Sequence, residues 1–265
     1  MKSTLRPLTI AALVCSLSLP LSACGGSNSA SENGGEPSTD TSATATSTTT
    51  ENEPTEAPES SVENVLASMS PDEIEAKLAT VSVDGKPLTI SLSHQELTEM
   101  AQTLGDSFEE MLESMTVEPA ECLNMAQEAQ KMQKLSNIEF AVAANTADNQ
   151  ISVFVQKVDF DMSASIDNII TYATTCPDVS IELPGLGLKS QVSQTATSSH
   201  IPPLNSGVIL TQEQKTGDIN SSTYTYYGAD PESGLFVLVN APVTSPSTDV
   251  FEALVTDVIN QLNTR

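Results

Sequence analysis

Four thiols, two imidazoles and one short acidic run are the groups from which this 265-residue chain could build chemistry. The thiols belong to Cys15, Cys24, Cys122 and Cys176, and the imidazoles to His94 and His200. A protein metal site gathers three or four ligands, usually through spacings such as CxxC or HxxxH, and neither spacing occurs. The acidic run from Asp159 to Asp167 starts like a calcium loop, with carboxylates at its first and third positions. Ala164 and Ile170 then stand at the sixth and twelfth, where that loop needs Gly and Glu. It reads better as a helix N-terminus, where the dipole favours negative charge. The chain has no GxSxG elbow, Gly-rich phosphate loop or HExxH. His94 stands at a helix start and His200 in the polar connection Ser198-Ser-His-Ile-Pro-Pro203, so both read as structural or solvated. The chain is expected not to be an enzyme and to use no metal or cofactor.

The N-terminus accounts for two of the thiols. Lys2 and Arg6 precede a mostly apolar stretch from Leu8 to Pro20, which suits a signal-peptide core and falls short of the ~20 residues of a spanning helix. Leu21-Ser22-Ala23-Cys24 then places a thiol directly behind two small residues. This resembles the bacterial lipobox, which implies that residues 1–23 are removed and that the sulfur of Cys24, the new N-terminus, is diacylglycerated. Two acyl chains make a stable anchor where one would be marginal. Plain secretion with Cys24 unmodified is the alternative. With Cys15 discarded and Cys24 acylated, Cys122 and Cys176 remain. On the oxidising side of a membrane they are expected to form one disulfide, with free thiols or a metal site as the alternatives.

Charge narrows the partners. The chain carries 35 acidic and 10 basic residues, for a net charge of −25. Loss of Lys2 and Arg6 with an acid-free leader makes the mature form more negative still, and its sole remaining arginine is Arg265. Nucleic acid requires clustered Lys and Arg, as do anionic headgroups. Nucleic acid is therefore not expected as a partner. The expected associations are the membrane, through the N-terminal lipid anchor, and a hydrophobic ligand or an envelope protein.

Gly25 to Ser61 is made of Ser, Thr, Gly, Glu, Asn, Pro and Ala with one Asp and no large apolar residue, a composition that cannot bury enough surface to fold. Residues 24–62 are thus expected to be an acylated cysteine followed by a disordered tether. As a flexible coil, the tether has a root-mean-square reach of roughly 30 to 37 Å. Residues 63–265 are expected to form one globular α+β domain, with a helical part over 63–135. Ser70-Pro-Asp-Glu73 and Ser93-His-Gln-Glu96 are capping boxes. Asp84-Gly85 signals a type I′ hairpin within Thr80 to Ile90. The second box opens an amphipathic helix that Pro119 breaks, and another helix follows to about Leu135. Strands are expected over 138–144, 151–158, 179–183, 188–196, 208–212, 223–227 and 235–240. One helix is expected to end at Cys176-Pro177. A last one, 247–262, carries a continuous apolar stripe.

Five methionines, Met100, Met111, Met115, Met125 and Met132, fall on the two helices expected between residues 93 and 135. Methionine adapts to irregular apolar partners, so these side chains form a candidate apolar groove for an acyl chain or a partner helix, with core filling as the plain alternative. Tyr224 and Tyr226 fall on one face of a strand and Tyr227 on the other.

The order of helix with cysteine, hairpin, helix with cysteine, meander and closing helix over residues 117–262 is carried by Glu118-Pro-Ala-Glu-Cys122, by the hairpin from Ile138 to Val158, by Tyr172-Ala-Thr-Thr-Cys-Pro177 and by the final stripe. It is similar to the extracellular sensor-type domains found beneath mycobacterial Ser/Thr kinases and as free-standing actinobacterial lipoproteins. The resemblance implies an antiparallel sheet with helices packed on one side, a ligand cleft and no enzymatic activity. The second disulfide and the tryptophans common in that family are missing. Function is thus expected to be that of a membrane-anchored lipoprotein on the outer face of the plasma membrane, with a ligand-binding or sensor-like domain within the cell wall. A structural or partner-binding envelope protein is the alternative.

Overall fold

The computed structural model describes residues 64–100, 115–125, 138–159, 163–183, 187–245 and 247–264. The signal peptide, Cys24, the tether, Met111 and Met132 lie outside the described residues. Both capping boxes close. Ser70 N donates to Glu73 Oε2 at 2.7 Å while Ser70 Oγ accepts from Glu73 N, and Pro71 opens α1 (Pro71–Leu78). Ser93 N donates to Glu96 Oε2 at 2.9 Å and opens α2, helical from 94 and described to 100. These backbone donors hold the carboxyls of Glu73 and Glu96 below their ordinary range. Asp84 and Gly85 take positive φ, as the two-residue turn between β1 (Ser82–Val83) and β2 (Lys86–Leu92) requires.

Eight further strands follow: β3 (Thr116–Glu118), β4 (Ile138–Thr146), β5 (Ser152–Val158), β6 (Asp178–Leu183), β7 (Leu188–Ser198), β8 (Ser206–Thr216), β9 (Ile219–Asp230) and β10 (Leu235–Pro242). The remaining helices are α3 (residues 120–125), α4 (Ser163–Thr175) and α5 (Thr248–Leu262). The ten strands form one sheet in the order β1-β2-β4-β5-β10-β9-β8-β7-β6-β3, with every neighbouring pair antiparallel. The class is thus α+β, as expected. The helix expected to run up to Pro119 is corrected at its far end, because Thr116–Glu118 is a strand paired with Ser180–Glu182 of β6. Two β-branched residues at an open sheet edge gain a ladder there, and this outweighs the helical spacing of the apolar residues before them.

The helices are divided between the two faces of the sheet, where a one-sided arrangement was expected. Alternation along β10 shows the division. Leu235, Val237 and Val239 point into a core with Ile74 and Leu78 of α1 and Phe251, Val255, Val258, Ile259 and Leu262 of α5. Phe236 and Leu238 point the other way, into a core with Leu97 of α2 and Ile166 and Ala173 of α4. Central strands buried on both sides need continuous apolar runs, and β5 and β10 supply them. Towards β8, β7, β6 and β3 the α5 face of the sheet opens to solvent, and its residues become Glu118, Glu182, Gln191, Ser193, Glu213 and Lys215. No helix among the described residues is long and apolar enough to cross a membrane.

Candidate functional site

Two elements far apart in sequence converge on the α4 face at the β3 end of the sheet. Cys122 on α3 and Cys176 at the end of α4 are joined by a disulfide with Cα atoms 5.9 Å apart, and both residues are buried. The expected pairing is therefore present. It closes a loop of 54 residues, which stabilises the fold by about 4 kcal/mol in the chain-entropy model. Val117, Val179, Ile181, Leu183 and Val192 pack around it from β3, β6 and β7.

The groove methionines separate. Met115 is buried in the disulfide cluster, and Met125 on α3 packs against that cluster. Met100 is half-buried on α2 and belongs to no part of that cluster. Met115 immediately precedes β3, so it shares no helix face with Met100. Tyr172, also at this cluster, has its phenol pushed up to about 12 by burial, and its hydroxyl lacks a partner.

Between the disulfide cluster and the α4 core lies a belt of buried polar side chains that the sequence reading missed. Gln194 Nε2 donates to the Cys176 carbonyl at 2.8 Å, and Gln212 Nε2 donates to Gln194 Oε1 at 3.3 Å. Gln214 Nε2 reaches Ser190 Oγ at 3.3 Å and Thr216 Oγ1 at 3.2 Å. The signal was the two-residue spacing of Gln212 and Gln214, which puts them on the same side as Leu210. A polar residue type pointed outward and concealed it.

On the opposite, open face a concavity of about 550 Å³ is lined by residues of β6 and β7 together with Glu118 and Pro119. Its polar groups include Asp178, Ser180, Gln191 and Ser193, with Ser193 Oγ donating to Asp178 Oδ1 at 2.5 Å. The hollow is open, and its lining mixes these groups with Pro119, Val179 and Val192, so it lacks the enclosed apolar wall that an acyl chain needs.

No family model matches the chain, and no curated protein matches it significantly. Solved structures similar to it include two from mycobacteria. One is an uncharacterized protein of Mycobacterium smegmatis, the Rv0999 ortholog, at 20% identity and a TM-score of 0.36 over 57% of this chain and 78% of that one. The other is the extracellular domain of PknH from Mycobacterium tuberculosis, at 12% identity and a TM-score of 0.36 over 74% of this chain and 93% of that one. Likeness at this level assigns neither a family nor a ligand.

The groups singled out for chemistry do not assemble. His94 Nδ1 lies 2.8 Å from Glu75 Oε1 and 3.8 Å from Asp72 Oδ1, and the Glu75 oxygen also accepts from the backbone N–H of His94. This joins α1 to α2. His200 is exposed. Among the described residues no three His, Cys, Asp or Glu side chains gather as metal ligands. Asp230 is buried, and three neutral donors satisfy its carboxylate: Asn64 Nδ2 at 2.7 Å, Asn205 Nδ2 at 2.9 Å and Ser233 Oγ at 2.6 Å. Asn64 opens the described domain, so Asp230 fixes the point where the preceding chain joins it.

Proposed function

We propose that this chain is an exported lipoprotein, acylated at Cys24 and held on the outer face of the plasma membrane, whose domain binds or senses without catalysing. The observation that carries this reading is the buried Cys122–Cys176 disulfide, a bond at home outside the reducing cytosol. It agrees with the leader and the Leu21–Cys24 motif at the other end of the chain. The deciding experiment is metabolic labelling with a clickable fatty acid. Wild type should take up label and sediment with membranes, and Cys24→Ala should take up none and either leave the membrane fraction or keep its leader; a wild-type chain without label would refute the anchor.

The ligand reading places an apolar molecule against the methionine-bearing segments 93–135, where Met115 lies in the disulfide cluster and Met125 packs against it. A second reading, recognition of an envelope protein, draws support from the open polar face of β3, β6, β7 and β8. Native mass spectrometry of protein purified from its own envelope separates the two, since one expects a bound small molecule and the other a bound chain.

A further inference from the structure

Leu188 and Ile219 are two of the three exposed large apolar side chains among the described residues, at 43% and 71% exposure. They sit on neighbouring hairpin ends. Leu188 stands opposite Leu183 where β6 and β7 meet, and Ile219 stands opposite Thr216 across the turn between β8 and β9. Thr216 in turn pairs with Ser190, two residues beyond Leu188. Directly opposed residues and residues two apart share a face of a sheet, so all of these lie on the α4 face. The 2.6 Å hydrogen bond between Ser190 Oγ and Thr216 Oγ1 agrees with that placement. The two apolar side chains therefore extend the disulfide cluster, through Leu183, out to one end of the molecule.

The attachment point of the tether is at the other end. Asn64 is hydrogen-bonded to Asp230, the last residue of β9, whereas Ile219 is the first. A strand of 12 residues separates them by about 36 Å. Read as a flexible coil, residues 25–61 would have a root-mean-square reach of roughly 30 to 37 Å. A tether whose reach matches a span maximises the local concentration of the distant site at the surface to which the tether is fixed. At the tips of the two hairpins, over 182–189 and 215–219, Lys189 and Lys215 offset Glu182 and Asp218, so the tips are neutral in a chain of net charge −25, with Glu213 the next charge inward on β8.

We infer that the Leu188–Ile219 end is a second membrane contact, dipping into the same leaflet that holds the acylated Cys24. The inference rests on the anchored reading above and adds a stated orientation to it: β9 runs away from the bilayer, with the apolar hairpin end in the leaflet and the attachment point about 36 Å above it, within reach of the tether. Because the contact is apolar and locally neutral, it is insensitive to salt, unlike an attraction between lysines and headgroups.

The chain contains no tryptophan, so one introduced indole reports alone. Full-length protein carrying Ile219→Trp is incorporated, through its own anchor, into phosphatidylcholine vesicles with either ordinary or brominated acyl chains. Val250→Trp, on the exposed side of α5, is the control. Flotation on a density gradient reads the anchor separately from the emission. The expected result is a blue-shifted Ile219→Trp emission that is largely lost in brominated vesicles at low and high salt, with Val250→Trp unaffected. Adding Leu188→Ser should restore much of the emission. Protein that floats but emits equally in both vesicle types overturns the inference and leaves the anchor standing. Protein that does not float overturns both. A blue shift in native envelopes without quenching in vesicles assigns this end to a protein partner and likewise overturns it.

Discussion

The side-chain amide of Gln194 on β7 donates to the backbone carbonyl of Cys176 at 2.8 Å, and the backbone N–H of Gln194 donates to the carbonyl of Pro177 at 2.7 Å. The last carbonyls of a helix have no partner within the helix and must find one elsewhere. One glutamine therefore fastens the end of α4 to the sheet beside the disulfide.

Gln194→Leu should leave the Cys176 carbonyl buried without its donor and should destabilise the domain by about 1 to 3 kcal/mol in urea denaturation. Cys176→Ser, which opens the covalent loop, should cost about 2 to 5 kcal/mol. Because both act on the same joint, the double variant should lose less than the sum of the single effects.

Tyr226 provides a test of packing against polarity. Gly207 and Gly228 stand opposite each other on β8 and β9, and the Tyr226 ring fills the space that their side chains would take. A Cβ on Gly228 would lie 2.5 Å from the Tyr226 ring, so Gly228→Ala should destabilise by about 1 to 3 kcal/mol. The Tyr226 hydroxyl is buried without a partner, and burial, with Glu252 nearby, raises its pKa. Tyr226→Phe should therefore leave the melting temperature unchanged or raise it; a clear loss would mean that the hydroxyl has a partner.

Acid should weaken the β4–β5 hairpin in a defined window. Hydrogen bonds from Lys86 and then Thr146 hold Asp148 at about 2, below the ordinary 3.8. A depressed carboxyl contributes stability that is complete above its unfolded value and is lost as pH falls through the folded one. The melting temperature should thus fall as pH goes from about 4 to about 2. Asp148→Asn should flatten part of that slope, and high salt should do so too, since the pair is on the surface.

Met115→Trp distinguishes an apolar site from a filled core. In the packed cluster around the disulfide, the larger ring should cost about 1 to 3 kcal/mol and leave no fluorescent acyl probe to displace. A protein that binds the probe before the change, loses it afterwards and melts no lower would establish a ligand site at this end of the sheet.

The sequence revealed those elements whose local chemistry and tertiary environment agree. The stripe from Phe251 to Leu262 and the Ser70 and Ser93 caps are examples, and so is the opposition of Tyr224 and Tyr226 to Tyr227, since period-two alternation leaves no other choice. Strands β8 and β9 were read too short. Glu213 to Thr216 and Asn220 to Ser222 are polar, and only the two-residue turn at Gly217-Asp218 shows that the ladder continues to the tip. Met115 was misplaced because helical spacing persists up to a residue whose neighbours pair with a distant strand. The glutamine belt was concealed because the residue type outweighed the two-residue spacing that places it inside, and Asp230 because two of its three donors, Asn64 and Asn205, come from segments distant in sequence.

Val65 N–H donates to Asn263 Oδ1 at 2.7 Å, and Gln261 both accepts from the backbone N–H of Ser82 and donates to its carbonyl. The first and last elements of the domain thus close on each other across nearly its whole length. On the proposed export, the chain would be threaded outward first end first, so α1 and β1 would reach the far side long before α5 could cover them. Until the final turn of α5 was through, the apolar sides of α1 and of the central strands would have no lid. Folding would then be timed by completion of transport, and during that interval the newly emerged segment would be a natural client for extracytoplasmic chaperones and an easy target for envelope proteases.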